Sequence, residues 1–133
     1  MKRFYIMIVV VAITMIVLSS CRYKSWQGKR PCDQPNSEWM SENKSITFFI
    51  DKNGAGTGKI VNDNEVIDIH IGIGPATEIE IFPLGNVVDN VVTGRSIEYW
   101  TGSFIQQEEF VATVKKTTYF KVGDKITFYR VDK

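Results

Sequence analysis

The stretch EVIDIHIGI, residues 65–73, sets Ile67, Ile69, Ile71 and Ile73 on one side of the chain and Asp68, His70 and Gly72 on the other. A period of two is the side-chain period of an extended strand. One apolar and one polar face is the pattern of an antiparallel strand with one side buried and one side wet. TEIEIF, residues 77–82, repeats it, with Ile79 and Ile81 against Glu78 and Glu80. ITFFI, residues 46–50, is β-branched and aromatic throughout. Turn residues fall between such runs, at Asn53-Gly54, Asn62-Asp63-Asn64, Gly85-Asn86 and Gln106 to Glu109.

Carried outward in both directions, the pattern predicts strands over 38–42, 45–50, 56–61, 65–73, 77–82, 97–105, 110–116 and 125–132. No stretch of ten or more residues reads as an amphipathic helix. The predicted fold is all-β: a small antiparallel meander of about eight strands, closing as a barrel or a sandwich. Residues 84–96, LGNVVDNVVTGRS, read either as a further strand or as a packed loop. A two-residue turn at Gly123-Asp124 would set Lys121 opposite Ile126 on one face, so 117–124 reads as a wider loop. Residues 37–133 contain twelve aromatics, enough to fill a domain of this size and leave no large open cavity.

The N-terminal end has a different character. Lys2 and Arg3 precede an apolar run from Phe4 to Leu18, the order of a secretory signal. At 1.5 Å per residue those 15 residues span about 22 Å, short of the roughly 30 Å of a bilayer core. The run ends in Leu18-Ser19-Ser20-Cys21, which resembles the lipobox of bacterial lipoprotein precursors. The resemblance implies a diacylglycerol thioether on Cys21, cleavage before it, and a mature chain of 21–133. Thiolate nucleophilicity is what that chemistry requires. Ordinary cleavage after Ser19 is the competing reading, and it leaves Cys21 without a role. Cys32 is then without an intrachain partner and reads as an inert free thiol in a flexible segment.

The domain limits that follow are 1–20 for the signal, 21–36 for a lipid-anchored tether, and 37–133 for the folded unit. Residues 22–36, RYKSWQGKRPCDQPN, have no hydrophobic period and hold Pro31 and Pro35, as a linker does. Fully extended, they reach about 50 Å. Arg22, Lys24, Lys29 and Arg30, with Tyr23 and Trp26, suit a membrane interface. A solvated linker accounts for them equally well.

NSEWMSENKSITFFIDKNGAGTGKI, with a closing KVGDKITFYRV, resembles a family of small extracytoplasmic bacterial lipoproteins with a β-meander domain, over about residues 36–133. The resemblance implies a lipocalin-like barrel and carries no activity with it. In lipocalins a Trp of the first strand packs beneath an Arg of the last, and Trp39 and Arg130 are placed to form such a barrel-closing pair. Lipocalins have glycine two residues before that Trp, where this chain has Ser37.

Chemistry-bearing motifs are sparse. NGAGTGKI, residues 53–60, has Asn53 where a phosphate loop requires glycine, and Ile60 where it requires Ser or Thr. DKNGAGTGKIVN places Ala55 and Asn62 at ligand positions of a calcium loop. His70 is the single histidine, which excludes His-based metal cages. Asp68 could orient it, but nothing places Ser103 beside it as a nucleophile. Glu108-Glu109 lie in a turn, poorly set as a catalytic pair. Beyond the signal the charges nearly balance, with 14 basic and 15 acidic residues, so no basic excess points to nucleic acid.

Tyr99, Trp100 and Phe104 form the one aromatic cluster with a possible binding role, Trp100 and Phe104 on one face and Tyr99 on the other. The expected function is a non-enzymatic, membrane-anchored binding module on the extracytoplasmic face of the cell membrane, without cofactor or metal. Its partner would be a protein, a glycan or a small hydrophobic ligand. The alternative is a carrier holding a hydrophobic ligand inside the barrel, which needs a cavity of at least about 300 Å³.

Overall fold

The computed structural model describes residues 26–74, 76–88, 91, 92 and 94–133, with backbone alone at 86–88, 91 and 92. The expected signal, residues 1–20, and the start of the expected tether, Cys21 and residues 22–25, lie outside the described residues. Ten strands follow in chain order: β1 Ser37–Ser41, β2 Ile46–Ile50, β3 Gly56–Asn62, β4 Glu65–Ile73, β5 Glu78–Pro83, β6 Val87–Val88, β7 Val91–Val92, β8 Glu98–Ser103, β9 Glu109–Lys116 and β10 Lys125–Arg130. Eight of them close into an antiparallel barrel in the order β1-β10-β9-β8-β5-β4-β3-β2. Every barrel strand pairs with its neighbour in sequence order, and β1–β10 makes the closure. The fold is therefore an up-and-down barrel, the architecture of lipocalin-like domains, and not a sandwich.

All eight predicted strands are present. The segment 84–96 holds a 3-10 turn at Leu84–Asn86 and a separate β6–β7 hairpin outside the barrel sheet. Residues 117–124 form the wider loop expected from the phase of Lys121 and Ile126.

Alternation decides what lies inside. Trp39, Phe48, Ile60, Ile69, Ile71, Ile79, Ile81, Trp100, Phe110, Val114 and Phe128 are buried together in one core. Its centre is aromatic: Phe110 stacks on Phe128 at 4.8 Å, Trp39 lies parallel to Phe48 at 6.3 Å, and Phe104 contacts Phe110 at 5.4 Å. Rings this large fit because small residues face them. Gly58 stands directly across from Phe48, and Gly102 lies under the Phe104 ring.

Both ends of the barrel are covered. At one end, called here the strap end, residues 26–36 fold over the opening, with Pro31 buried in a 3-10 turn at Pro31–Asp33. The far end is covered by the loop after β9, where Phe120 meets Trp100 edge-on at 5.8 Å and Tyr119 packs on the core.

Residues 26–36 depart from the linker reading. The Arg30 guanidinium donates to both Asp33 carboxylate oxygens at 2.9 Å and to the Gly74 carbonyl, and lies 4.6 Å above the Trp26 ring. Gln34 donates to the Gln107 carbonyl at 2.6 Å and accepts from Arg130 Nη1 at 3.0 Å. Order here comes from polar side chains and one Trp, which create no hydrophobic period for a pattern search to find. Cys32 is accordingly not in a flexible stretch. It is a half-buried free thiol within the 3-10 turn, and burial pushes its pKa up, away from the reactive thiolate.

Candidate functional site

The outer wall is built from the other half of each alternation. On β1, β2 and β10 the outward positions include Glu38 and Met40, Thr47 and Phe49, and Tyr129. Register sets them in two rows. Phe49 lies across from Glu38, whose carbonyl accepts from the Val131 amide at 2.8 Å, and Met40 lies between Thr47 and Tyr129. Val61 and Val66, paired across β3 and β4, are 47% and 59% exposed; Phe49, Tyr129 and Val131, on either side of β1, are 44%, 40% and 42% exposed. Met40, half-buried, joins them into one strip. Acids interrupt and flank it: Glu38 lies between Phe49 and Val131, and Glu109 lies across from Tyr129. Desolvation, and after it the Glu109 and Glu42 carboxylates, raise the Tyr129 pKa.

This strip differs from the aromatic cluster expected from the sequence. Trp100 is fully buried, its Nε1 donating to Glu98 Oε2 at 3.1 Å, so it is a core residue and not a binding aromatic. The correction follows from phase, since Trp100 shares the inward face of β8 with Glu98 and Gly102. Phe104 is core as well. Tyr99 faces out, half-buried between Glu80 and Lys116 on a polar wall.

Trp39 and Arg130 are direct cross-strand partners where the barrel closes. Trp39 Nε1 donates to Ser37 Oγ at 2.8 Å, which gives the serine two residues before the Trp a role of its own. Arg130 donates to both oxygens of Asp132, at 2.8 and 3.0 Å, and to Gln34.

His70 stands on the outer face of β4, between Thr57 and Phe82. Burial lowers its pKa, opposed by the nearby Asp51 carboxylate. Ser103 is at the strap end of β8, on a strand that does not pair with β4. Among the described residues no group of three or more His, Cys, Asp or Glu could hold a metal ion, and no helix is long and apolar enough to cross a membrane.

Beside the β4–β5 turn is an open groove of about 230 Å³, lined by Gly72, Ile73, Gly74, Glu78, Glu80 and Phe82. Glu78 Oε2 is buried there without a hydrogen-bond donor among the described residues. The groove lies on the outside of the barrel and is smaller than the roughly 300 Å³ at which small-molecule sites begin.

The strap has a pH signature. The Arg30 hydrogen bond is the largest influence holding the Asp33 carboxyl below the usual carboxylate range. A depressed folded-state pKa contributes stability that is present above the unfolded value, near 4, and is lost as pH falls through the folded value. Acidification below about pH 4 should therefore loosen the strap before the barrel. Trp26 emission, taken as the difference between the protein and its Trp26→Phe variant, should shift in that range. Asp33→Asn should show the loosened emission already at neutral pH. An unchanged difference spectrum through pH 3 would contradict the assignment.

Comparison of this chain with protein-family models, with curated proteins and with solved structures gives no match.

Proposed function

We propose that this chain is an extracytoplasmic lipoprotein, anchored through Cys21, that acts as a non-enzymatic binding module through the outer wall of β10, β1 and β2. The observation that carries the reading is the strip of Phe49, Met40, Tyr129 and Val131 on a barrel whose interior is already occupied. Fifteen buried apolar residues fill that interior, and both ends are covered, which argues against a ligand carried inside. An apolar surface interrupted by Glu38 and flanked by Glu109 suits a protein partner that offers apolar and basic side chains. The outward placement of His70, on a strand apart from Ser103, supports a binding role over hydrolysis.

The reading is tested by placing a photo-crosslinking amino acid on the surface of the protein in its native cells. Substitution at Phe49 or Tyr129 should give a discrete protein adduct. The same residue at Val66 or Val122, which are 59% and 65% exposed elsewhere on the barrel, should give none. Equal adducts at all four positions, or adducts at Val66 and Val122 alone, would refute the assignment of this wall.

A further inference from the structure

We infer that the strap end of the barrel is a lipid-contacting face, held against the bilayer so that the turn after β8, with Ile105 at its tip, meets the headgroup region. The inference rests on the reading of Cys21 as the lipidated residue, and goes beyond it in fixing which end of the domain faces the membrane.

The length of the leash makes the choice. Five residue steps separate Cys21 from Trp26, and a chain that long reaches about 18 Å at most. Trp26 itself is not free to extend it: it packs on the core, with Arg30 4.6 Å above its ring. Arg30 is in turn tied to Asp33 and to the Gly74 carbonyl in the β4–β5 turn. The leash is thus about a third of the 50 Å that an unfolded tether would allow. β4 has nine residues, roughly 30 Å of strand, and at a barrel tilt of about 40° it rises some 23 Å along the axis. A leash shorter than the barrel is tall cannot turn the far end toward the surface to which Cys21 is fixed.

The chemistry of the strap end is compatible with that position. Ile105 is 71% exposed, and the next two residues, Gln106 and Gln107, are uncharged. Four of the acids at this end are engaged, while Glu38, Glu78 and Glu109, at the starts of β1, β5 and β9, also lie here. Asp33 pairs with Arg30, Asp132 with Arg130 and Glu108 with Lys133, while Asp51 accepts from the amides of Asn53 and Ala55. Lys29 and Lys52 add positive charge toward anionic lipid. Charge alone does not pick this end, because Lys44, Lys121 and Lys125 lie at the other; the leash does.

The test uses the full lipidated chain in a Cys32→Ser background, with a fluorophore on Ile105→Cys or on Val122→Cys. Each is reconstituted into phosphatidylcholine vesicles that contain a lipid with a shallow spin-label quencher. Flotation is measured on the same samples. The expected result is flotation of both, with quenching several-fold stronger at 105 than at 122. Equal quenching, or stronger quenching at 122, in protein that floats would overturn the orientation and leave the anchor standing. Failure to float would overturn the anchor and the orientation together. Arg30→Gln, which frees the strap and lengthens the leash, should bring the two signals toward equality in protein that still floats. An undiminished difference there would overturn the strap as its cause.

Discussion

Glu98→Ala should lower the thermal midpoint by about 15 °C or more. Glu98 is 1% exposed, at the start of β8. Its Oε2 accepts from Trp100 Nε1 at 3.1 Å. Its Oε1 accepts from Thr117 Oγ1 at 2.8 Å, the Thr118 amide at 2.9 Å and the Tyr119 amide at 3.0 Å. One side chain thus holds a core indole and the loop that covers the far end of the barrel. Removing it strands four donors, and each buried unsatisfied group costs about 1–3 kcal/mol. Water reaching the loop offsets part of this, leaving roughly 4 kcal/mol. A domain near 100 residues loses about 4–8 °C per kcal/mol. Glu98→Gln should fall between. Its carbonyl can still serve the loop, but its amide meets Trp100 donor to donor. Thermal unfolding followed by circular dichroism checks both, and a loss under about 5 °C for Glu98→Ala would show that the network does not hold the loop.

Gly58→Val should cost about 3 kcal/mol or more, near the upper end for overpacking. Gly58 is the cross-strand partner of Phe48, and a Cβ there would run into the Thr47 carbonyl oxygen and come within 2.6 Å of Phe48 Cα. Two of the obstacles are backbone, so no rotamer change relieves them. The β2–β3 pairing would have to open, and the Phe48 ring would lose its place against Trp39. Gly85→Ala is the control, since nothing lies within 4 Å of its Cβ position. Chemical denaturation of the two variants should show a large fall in midpoint for the first and a change within about 0.5 kcal/mol for the second. Similar midpoints would contradict the packing described around Phe48.

The strands were legible because each carries its own evidence. The phase of ITFFI puts Ile46, Phe48 and Ile50 inside, and so puts Phe49 outside; the phase of KITFYR does the same for Phe128 and Tyr129. What the phase of one strand cannot say is which strand lies beside it. Phe49 and Tyr129 come onto one wall, on either side of β1, only because β10 closes on β1, a pairing between the two ends of the domain. The outer strip was therefore invisible, while the contiguous cluster at Tyr99 and Trp100 drew attention to a core residue. Glu98 was half legible. Its phase places it with Trp100, but its burial depends on Thr117, Thr118 and Tyr119, some twenty residues away. The strap was hidden for another reason: Arg30, Asp33 and Gln34 order it through hydrogen bonds, which leave no periodic trace.

The proposed anchoring of a filled barrel through Cys21 has a direct test in the native intact mass of the protein after gentle extraction from membranes. The account predicts one species, a chain beginning at Cys21 and carrying a diacylglyceryl group, with nothing else bound. A chain that keeps residues before Cys21, an unmodified Cys21 thiol, or an apolar molecule retained one to one with the polypeptide would contradict it.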